Sequence, residues 1–129
     1  NTLGPALLIK HLHKLLPKER RSILVILTAR VGSIGDNNLG GWISYRTSKA
    51  AVHQIIRTSA LEIKNKFKES ICIALHPGTV KTNLTQKYVG NHPSVSPDQA
   101  AKNILNVINS LSQEDTGNFF DWAGKKVEW

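Results

Sequence analysis

The sequence predicts an α/β fold built around a parallel β-sheet. Two apolar runs rich in branched residues, SILVILT (22–28) and ICIAL (71–75), alternate with three segments whose apolar residues recur at helical spacing. Strands that alternate with helices indicate a parallel sheet with right-handed crossovers. The chain has 129 residues, 40% of them hydrophobic and 20% charged, so we expect one core.

The first helix is predicted over residues 2–16, because its leucines follow the i, i+3, i+4 template and Pro17 follows as a stop signal. The run SILVILT shows no polar alternation, which is typical of a strand covered on both faces. The next segment, RVGSIGDNNLGG, contains four glycines and is expected to form an irregular loop at the end of that strand.

A long helix is predicted over residues 44–67, where six apolar side chains repeat at helical spacing: Val52, Ile55, Ile56, Ala60, Ile63 and Phe67. The strand ICIAL follows, and the Pro-Gly of HPGTVKT ends it. A third helix is expected after Ser96 as cap, with Pro97 at its first position and Gln99 three residues after the cap. The ending GNFFDWAGKKVEW is typical of a short aromatic strand, a turn and a few more extended residues.

Two loops, the glycine-rich one after SILVILT and HPGTVKT after ICIAL, leave the carboxyl ends of predicted strands. In open parallel sheets, ligands bind beyond those ends. We therefore expect both loops to face one crevice.

Tyr45 and Lys49 lie one helical turn apart at the start of the long helix, so both can project toward that crevice. A phenol beside a fixed positive charge is a usable proton donor for a carbonyl oxygen. The spacing alone is also compatible with an ordinary exposed pair on a helix surface. His76, before the Pro-Gly turn, could contact a substrate or only position the backbone.

These motifs follow one another in the order found in one family: NTLG opening a helix, an apolar strand, a small-residue loop, YRTSK beginning a long helix, and HPGTVKT after a second strand. The chain resembles the short-chain dehydrogenases/reductases. The segments VGSIGDNNLGGW, LHPGTVKT and TGNFFDWAGKKVEW are similar to those of the C-factor-like and sniffer-like carbonyl reductases. The resemblance implies a Rossmann-like doubly wound parallel sheet, of which residues 1–129 would form a single partial domain, the carboxyl-terminal half.

The same resemblance implies an oxidoreductase that uses NADP or NAD to reduce a small-molecule carbonyl substrate by hydride transfer. Tyr45 matches the family's proton donor, Lys49 the lysine that binds the nicotinamide ribose and assists the tyrosine, and Asn1 the asparagine that holds a water in the proton relay. Five residues match the turn that lies along the nicotinamide and pyrophosphate: Pro77, Gly78, Thr79, Val80 and Thr82.

Two departures from the family pattern stand out. Ala29 occupies the place of the serine that hydrogen-bonds the substrate oxygen, and Thr28 should point to the opposite strand face. Ser33 is therefore the candidate replacement, although a structural loop serine is the alternative. The second departure is the glycine-rich pyrophosphate turn, G-x-x-x-G-x-G, which would precede residue 1. We therefore expect a fragment or processed chain that lacks the amino-terminal dinucleotide-binding half and has no activity alone.

The main alternative function is a noncatalytic Rossmann-like signalling or regulatory protein, or an inactive fragment, because of Ala29 and the incomplete domain.

A nucleic-acid partner is not expected: the net charge is +8, but the basic residues are spread along the chain without interleaved aromatics. No apolar run approaches the roughly 20 residues of a membrane span. The single cysteine, Cys72, is expected to be buried, and the chain is expected to be cytoplasmic. No metal is expected, since His11 and His13 point in different directions on a helix.

The resemblance also implies a possible homodimer through helices 2–16 and 44–67. Both helices are apolar over more than one stripe and need cover on a second side, which a partner or the missing half could provide. Ile56 and Ile63 are the candidate partner-facing side chains.

Three tryptophans, Trp42, Trp122 and Trp129, could line a substrate pocket, fill the core or form a subunit contact.

Overall fold

A computed structural model of the chain describes residues 1–83, 85, 86 and 93–129. Its main sheet contains β1 (Ser22–Leu27), β2 (Ser70–His76), β5 (Phe119–Asp121) and β6 (Lys126–Val127), in the order β1-β2-β5-β6. The first three strands are parallel, and β6 is antiparallel to β5. The predicted α/β fold with a mainly parallel sheet is confirmed.

A second, two-stranded sheet pairs β3 (Thr79–Val80) with β4 (Ser94–Val95) in parallel. The sequence predicts only a Pro-Gly turn at this point, because two-residue strands carry no recognisable pattern. The pair fixes the chain that leaves β2 against the chain that enters the third helix.

The three predicted helices are present with slightly different ends. The first, α1 (Leu3–Leu12), is shorter than residues 2–16 because the chain tightens into a 3-10 turn at His13–Leu15. The second, α2 (Ile43–Lys66), and the third, α3 (Pro97–Ser110), begin and end within a residue or so of expectation. The Ser96 hydroxyl accepts a hydrogen bond from the Gln99 N–H at 3.2 Å, as the predicted cap requires.

The sheet is covered on both faces. Every residue of β2 from Ser70 to Leu75 is buried, since alternate side chains enter opposite layers. One layer lies against α1 and α2 and the other against α3; their central members are Ile9, Val52, Ile56, Cys72, Ala74 and Phe119 in the first, and Ile71, Ile73, Leu75, Val107 and Phe120 in the second. Cys72 is fully buried, as expected, and burial raises the pKa of its thiol to about 12.

Ile56 and Ile63 do not face a partner: they are 0% and 3% exposed and pack in the layer beneath α2. The assignment was wrong because α2 carries apolar residues in several directions, and spacing alone does not identify the side that meets the sheet. The exposed apolar side chains of this region include Leu3, Leu7, Leu8 and Leu12 on α1 and Ile43 and Leu61 on α2.

The loop after β1 packs closely on α2. Its 3-10 turn, Arg30–Gly32, brings Gly32 so near the helix that an added Cβ would lie 2.6 Å from the Lys49 Cβ and 2.8 Å from the His53 Cε1. Only glycine fits such an approach without displacing its neighbours.

In the described part of the chain, no helix combines the length and apolarity needed to cross a membrane.

We predict that Ile56→Lys and Ile63→Lys prevent stable folding rather than release monomers. Each places an ammonium in a closed apolar layer, which should lower the free energy of unfolding by more than about 3 kcal/mol. Leu61→Lys is the matched control, because Leu61 is 48% exposed on the same helix. Thermal unfolding followed by circular dichroism measures the effect, and equal midpoints for Ile56→Lys and Leu61→Lys would contradict it.

We also predict that Gly32→Ala lowers the free energy of unfolding by about 1–3 kcal/mol, because the added methyl group must move α2 or the turn. Gly4→Ala provides the control. Nothing lies within 4 Å of a Cβ at that helical position, so this substitution should raise stability by about 0.5–1 kcal/mol. Urea unfolding of both variants decides; destabilisation of the same size in both would show that Gly32 has no special packing role.

Candidate active site

Tyr45 and Lys49 lie together on the first turns of α2. The Lys49 Nζ lies over the Tyr45 ring, 5.7 Å from its centroid, within the range of a cation–π contact. Tyr45 is 41% exposed, whereas Lys49 is half-buried, and burial lowers the pKa of its ammonium. The pair therefore combines a solvent-accessible phenol with a partly desolvated positive charge.

The entry to α2 is fixed by Arg46. Its guanidinium donates hydrogen bonds of 3.0 Å to the carbonyls of Val31, Gly40 and Gly41. Gly40, Gly41 and Trp42 all have positive φ, and a left-handed tryptophan is strained. Arg46 thus joins both ends of the loop beside Tyr45, a role for which the sequence carries no visible signal.

The Ser33 hydroxyl is engaged by the backbone of Asp36 and Glu128. Ser33 is 2% exposed, and its hydroxyl donates to the Glu128 carbonyl at 2.5 Å and accepts from the Asp36 N–H at 3.0 Å. Those contacts hold the loop against the end of the chain and leave no free hydroxyl for a substrate oxygen. Of the two interpretations of Ser33, the structure therefore supports the structural loop serine, while Ala29 offers only a methyl group.

Asn1 is exposed at the start of α1. The neighbouring Thr2 donates its hydroxyl to the Ser48 carbonyl at 3.1 Å, which ties this end of the chain to the residue before Lys49. Asn1 consequently lies in the neighbourhood of the Tyr45–Lys49 pair.

The second predicted loop leaves β2 at the same edge of the sheet as the loop after β1. Pro77, Gly78, Thr79 and Val80 are half-buried, and Thr82 is exposed with its hydroxyl 3.1 Å from that of Thr85. Gly78 has φ 77°, and an added Cβ would lie 2.9 Å from the Trp122 Cδ1. The turn is thus stacked beneath an indole that is itself 46% exposed.

A group of charged residues stands beside this turn. The Arg30 guanidinium contacts Asp36 at 2.7 Å and approaches Asp121 at 3.7 Å, while the other Asp121 oxygen accepts from two backbone N–H groups of the following turn. His76 pairs with Asp121 across the strands; burial, followed by the Arg30 charge, lowers the pKa of its imidazole. Its Nδ1 is buried and has no hydrogen-bond partner among the described residues.

Two further residues lie beside the pair. The sequence pattern predicted only the strand face of Thr28, and it did not single out His53. The Thr28 hydroxyl lies 3.0 Å from the His53 Nε2, and both residues are buried. His53 follows Lys49 by four positions, so helical spacing would have placed it on the same face. Its ring contacts Phe119 and Trp129. Of the three tryptophans, Trp129 therefore packs beside this buried histidine, and Trp42 is 56% exposed.

Comparison with known proteins identifies the family. No family model matches the chain. It is 37% identical to 1-hydroxy-2-glutathionyl-2-methyl-3-butene dehydrogenase of Rhodococcus sp. (strain AD45), covering all of this chain and 55% of that protein. It is 31% identical to the C-signal of Myxococcus xanthus, covering all of this chain and 74% of that protein.

The structure agrees with these sequence matches. An NADPH-bound carbonyl reductase from chicken fatty liver superposes with a TM-score of 0.81 at 31% identity, over 100% of this chain and 54% of that one. The chain thus spans about half the length of the dehydrogenase and of this reductase. On the parallel sheet, the order of motifs and these similarities, the chain belongs to the short-chain dehydrogenase/reductase family of oxidoreductases.

Proposed function

We propose that this chain supplies the catalytic half of an NADP- or NAD-dependent carbonyl reductase, with Tyr45 as the proton donor. The observation that carries the proposal is the Lys49 ammonium, 5.7 Å from the centroid of an exposed tyrosine ring, in a chain of this family.

In the proposed mechanism, Tyr45 donates its hydroxyl proton to the oxygen of a carbonyl substrate as that oxygen gains negative charge. Lys49 stabilises the phenolate that remains, because an ammonium close to an oxyanion is attracted to it most strongly where water is partly excluded. Arg46 keeps the phenol in place by holding the two ends of the neighbouring loop. Asn1 is proposed to hold the water through which Tyr45 regains its proton.

The residues present fit the nicotinamide end of a dinucleotide. The Lys49 ammonium offers donors to ribose hydroxyls, and the turn formed by Pro77, Gly78, Thr79, Val80 and Thr82 offers backbone groups and hydroxyls beyond the carboxyl end of β2. The bound cofactor would supply the hydride.

We propose that a glycine-rich half completes the dinucleotide site, because the Rhodococcus dehydrogenase and the chicken carbonyl reductase are about twice as long as this chain and the sequence has no G-x-x-x-G-x-G turn. The position of β1 supports this proposal. It lies at an edge of the sheet although its sequence, SILVIL, is typical of an interior strand. An apolar edge strand invites pairing with another strand.

The substrate is proposed to be a small carbonyl compound or the corresponding alcohol. The Rhodococcus relative is named for a glutathionyl alcohol, and a chain with a net charge of +8 is suited to an anionic substrate of that kind. The second candidate is a noncatalytic signalling protein. It is favoured by Ala29 in place of the family serine and by the greater share of the C-signal that the chain covers.

We predict that the full-length protein oxidises NADPH or NADH with a carbonyl substrate and that Tyr45→Phe lowers kcat at least about 10²-fold, because phenylalanine has no proton to donate. Absorbance at the nicotinamide band, with a panel of ketones, aldehydes and, in the reverse direction, hydroxyalkyl glutathione conjugates, measures turnover. Ser110→Ala is the control, since that hydroxyl donates to the carbonyl of Val107 within α3. Turnover at the same background rate in wild type and in Tyr45→Phe would favour the signalling function.

We further propose that the full-length protein is a homodimer through α1 and α2, with the exposed leucines of α1 at the contact. Wild type should sediment as a dimer, and Leu8→Lys with Leu12→Lys should release monomers, because ammonium groups would then face each other across an apolar contact. Leu105→Lys is the control, since Leu105 is 57% exposed on α3. A monomeric wild type at micromolar concentrations would refute the proposal.

A further inference from the structure

The contact between Thr28 and His53 joins the sheet to α2 beside the candidate active site. Thr28 directly follows β1, and its N–H donates to the Leu75 carbonyl at 2.9 Å, so its backbone is fixed on the sheet. Its hydroxyl lies 3.0 Å from the His53 Nε2. The two side chains are 5% and 3% exposed, and His53 follows Lys49 by one helical turn.

The His53 ring is neutral except at acidic pH. Burial lowers the pKa of the imidazole to about 4; the nearby Gly32 backbone raises it somewhat, and the Lys49 charge lowers it again. A neutral ring avoids a second positive charge beside Lys49. Since Nδ1 makes no hydrogen bond of normal geometry with any described residue, the contact with Thr28 is the polar anchor of the ring within the described part of the chain.

The Gly32 turn rests on Lys49 and His53 together. A Cβ at Gly32 would lie 2.6 Å from the Lys49 Cβ and 2.8 Å from the His53 Cε1. On its other sides the ring meets Phe119 at 4.5 Å and Trp129 at 5.3 Å between centroids. His53 is therefore held between the aromatic layer and the turn that covers the Lys49 stem.

We propose that Thr28 and His53 are positioning residues for Lys49: their contact holds the 30–32 turn against α2, which covers the lysine stem and keeps its ammonium over the Tyr45 ring. Neither residue touches the reacting atoms. The importance of this contact for turnover rests on the proposed function, whereas its effect on Lys49 does not.

The test is a titration of Lys49 by NMR in the full-length protein labelled with 13C at the lysine Cε, with the Lys49 signal assigned by Lys49→Arg. Thr28→Val and His53→Leu should raise the pKa of Lys49 toward that of an ordinary lysine, because the loosened turn lets water reach the stem. His53→Gln should restore much of the wild-type value, since its amide can still reach Thr28. The double variant Thr28→Val with His53→Leu should shift no further than either single variant.

Thr116→Val is the matched control. Thr116 is also buried, and its hydroxyl accepts from the Cys72 N–H at 2.8 Å, so the substitution removes a comparable buried hydrogen bond far along the sheet. It should leave the pKa of Lys49 unchanged. The proposal is overturned if Thr28→Val folds with an unchanged Lys49 titration, or if Thr116→Val shifts it equally. Should His53→Leu fail to fold, Thr28→Val against Thr28→Ser, which keeps the hydroxyl, decides alone.

The outcomes separate this proposal from the proposed function. A raised Lys49 pKa in Thr28→Val, in a protein whose wild type shows no turnover, supports the positioning role and overturns the reductase. Turnover in the wild type, together with an unchanged Lys49 titration in Thr28→Val, supports the reductase and overturns the positioning role.

Discussion

The parallel pairing of β1 with β2 is the constraint on which the candidate site depends. The register runs from Ser22 with Ser70 to Leu27 with Leu75, and the Thr28 N–H continues it by donating to the Leu75 carbonyl. Because parallel strands end at one edge, the loop after β1 and the Pro77–Gly78 turn after β2 are brought to the same place. The chemistry of either loop would be isolated without this register.

The second constraint is the close approach of the Gly32 turn to α2. In an ordinary loop-helix contact, long side chains separate the backbones and leave the helix free to shift. Here the backbone itself meets Lys49 and His53, so the position of α2 is set to within the width of a methyl group. Arg46 adds hydrogen bonds from α2 back to the same loop. The phenol and ammonium are thereby placed by packing as well as by helical spacing.

Local signals in the sequence predicted most of the fold. The Ser96 cap, the apolar strands and the long helix depend on neighbouring residues, and all three agree with the structure. Features that depend on distant residues could not be predicted. The direction of the Ser33 hydroxyl is decided by Glu128, 95 positions away, and the burial of Ile56 by the sheet beneath it. His53 had the right spacing from Lys49, but its role depends on burial, which spacing does not report.

The loss of the family serine at Ala29 has a consequence for how a substrate would be held. A serine hydroxyl at that slot would add a fixed donor beside the phenol; with Ala29, and with the Ser33 hydroxyl engaged by the backbone, neither residue adds a side-chain donor to the Tyr45–Lys49 pair. The orientation of a carbonyl group would then rest on fewer polar side chains than in a site with two converging donors. If Tyr45 is the proton donor, as proposed, the position of Lys49 matters more in such a site, because Ala29 adds no second hydrogen bond to the substrate oxygen. That dependence gives a physical reason for holding the lysine by a neutral, buried imidazole rather than by a mobile surface contact.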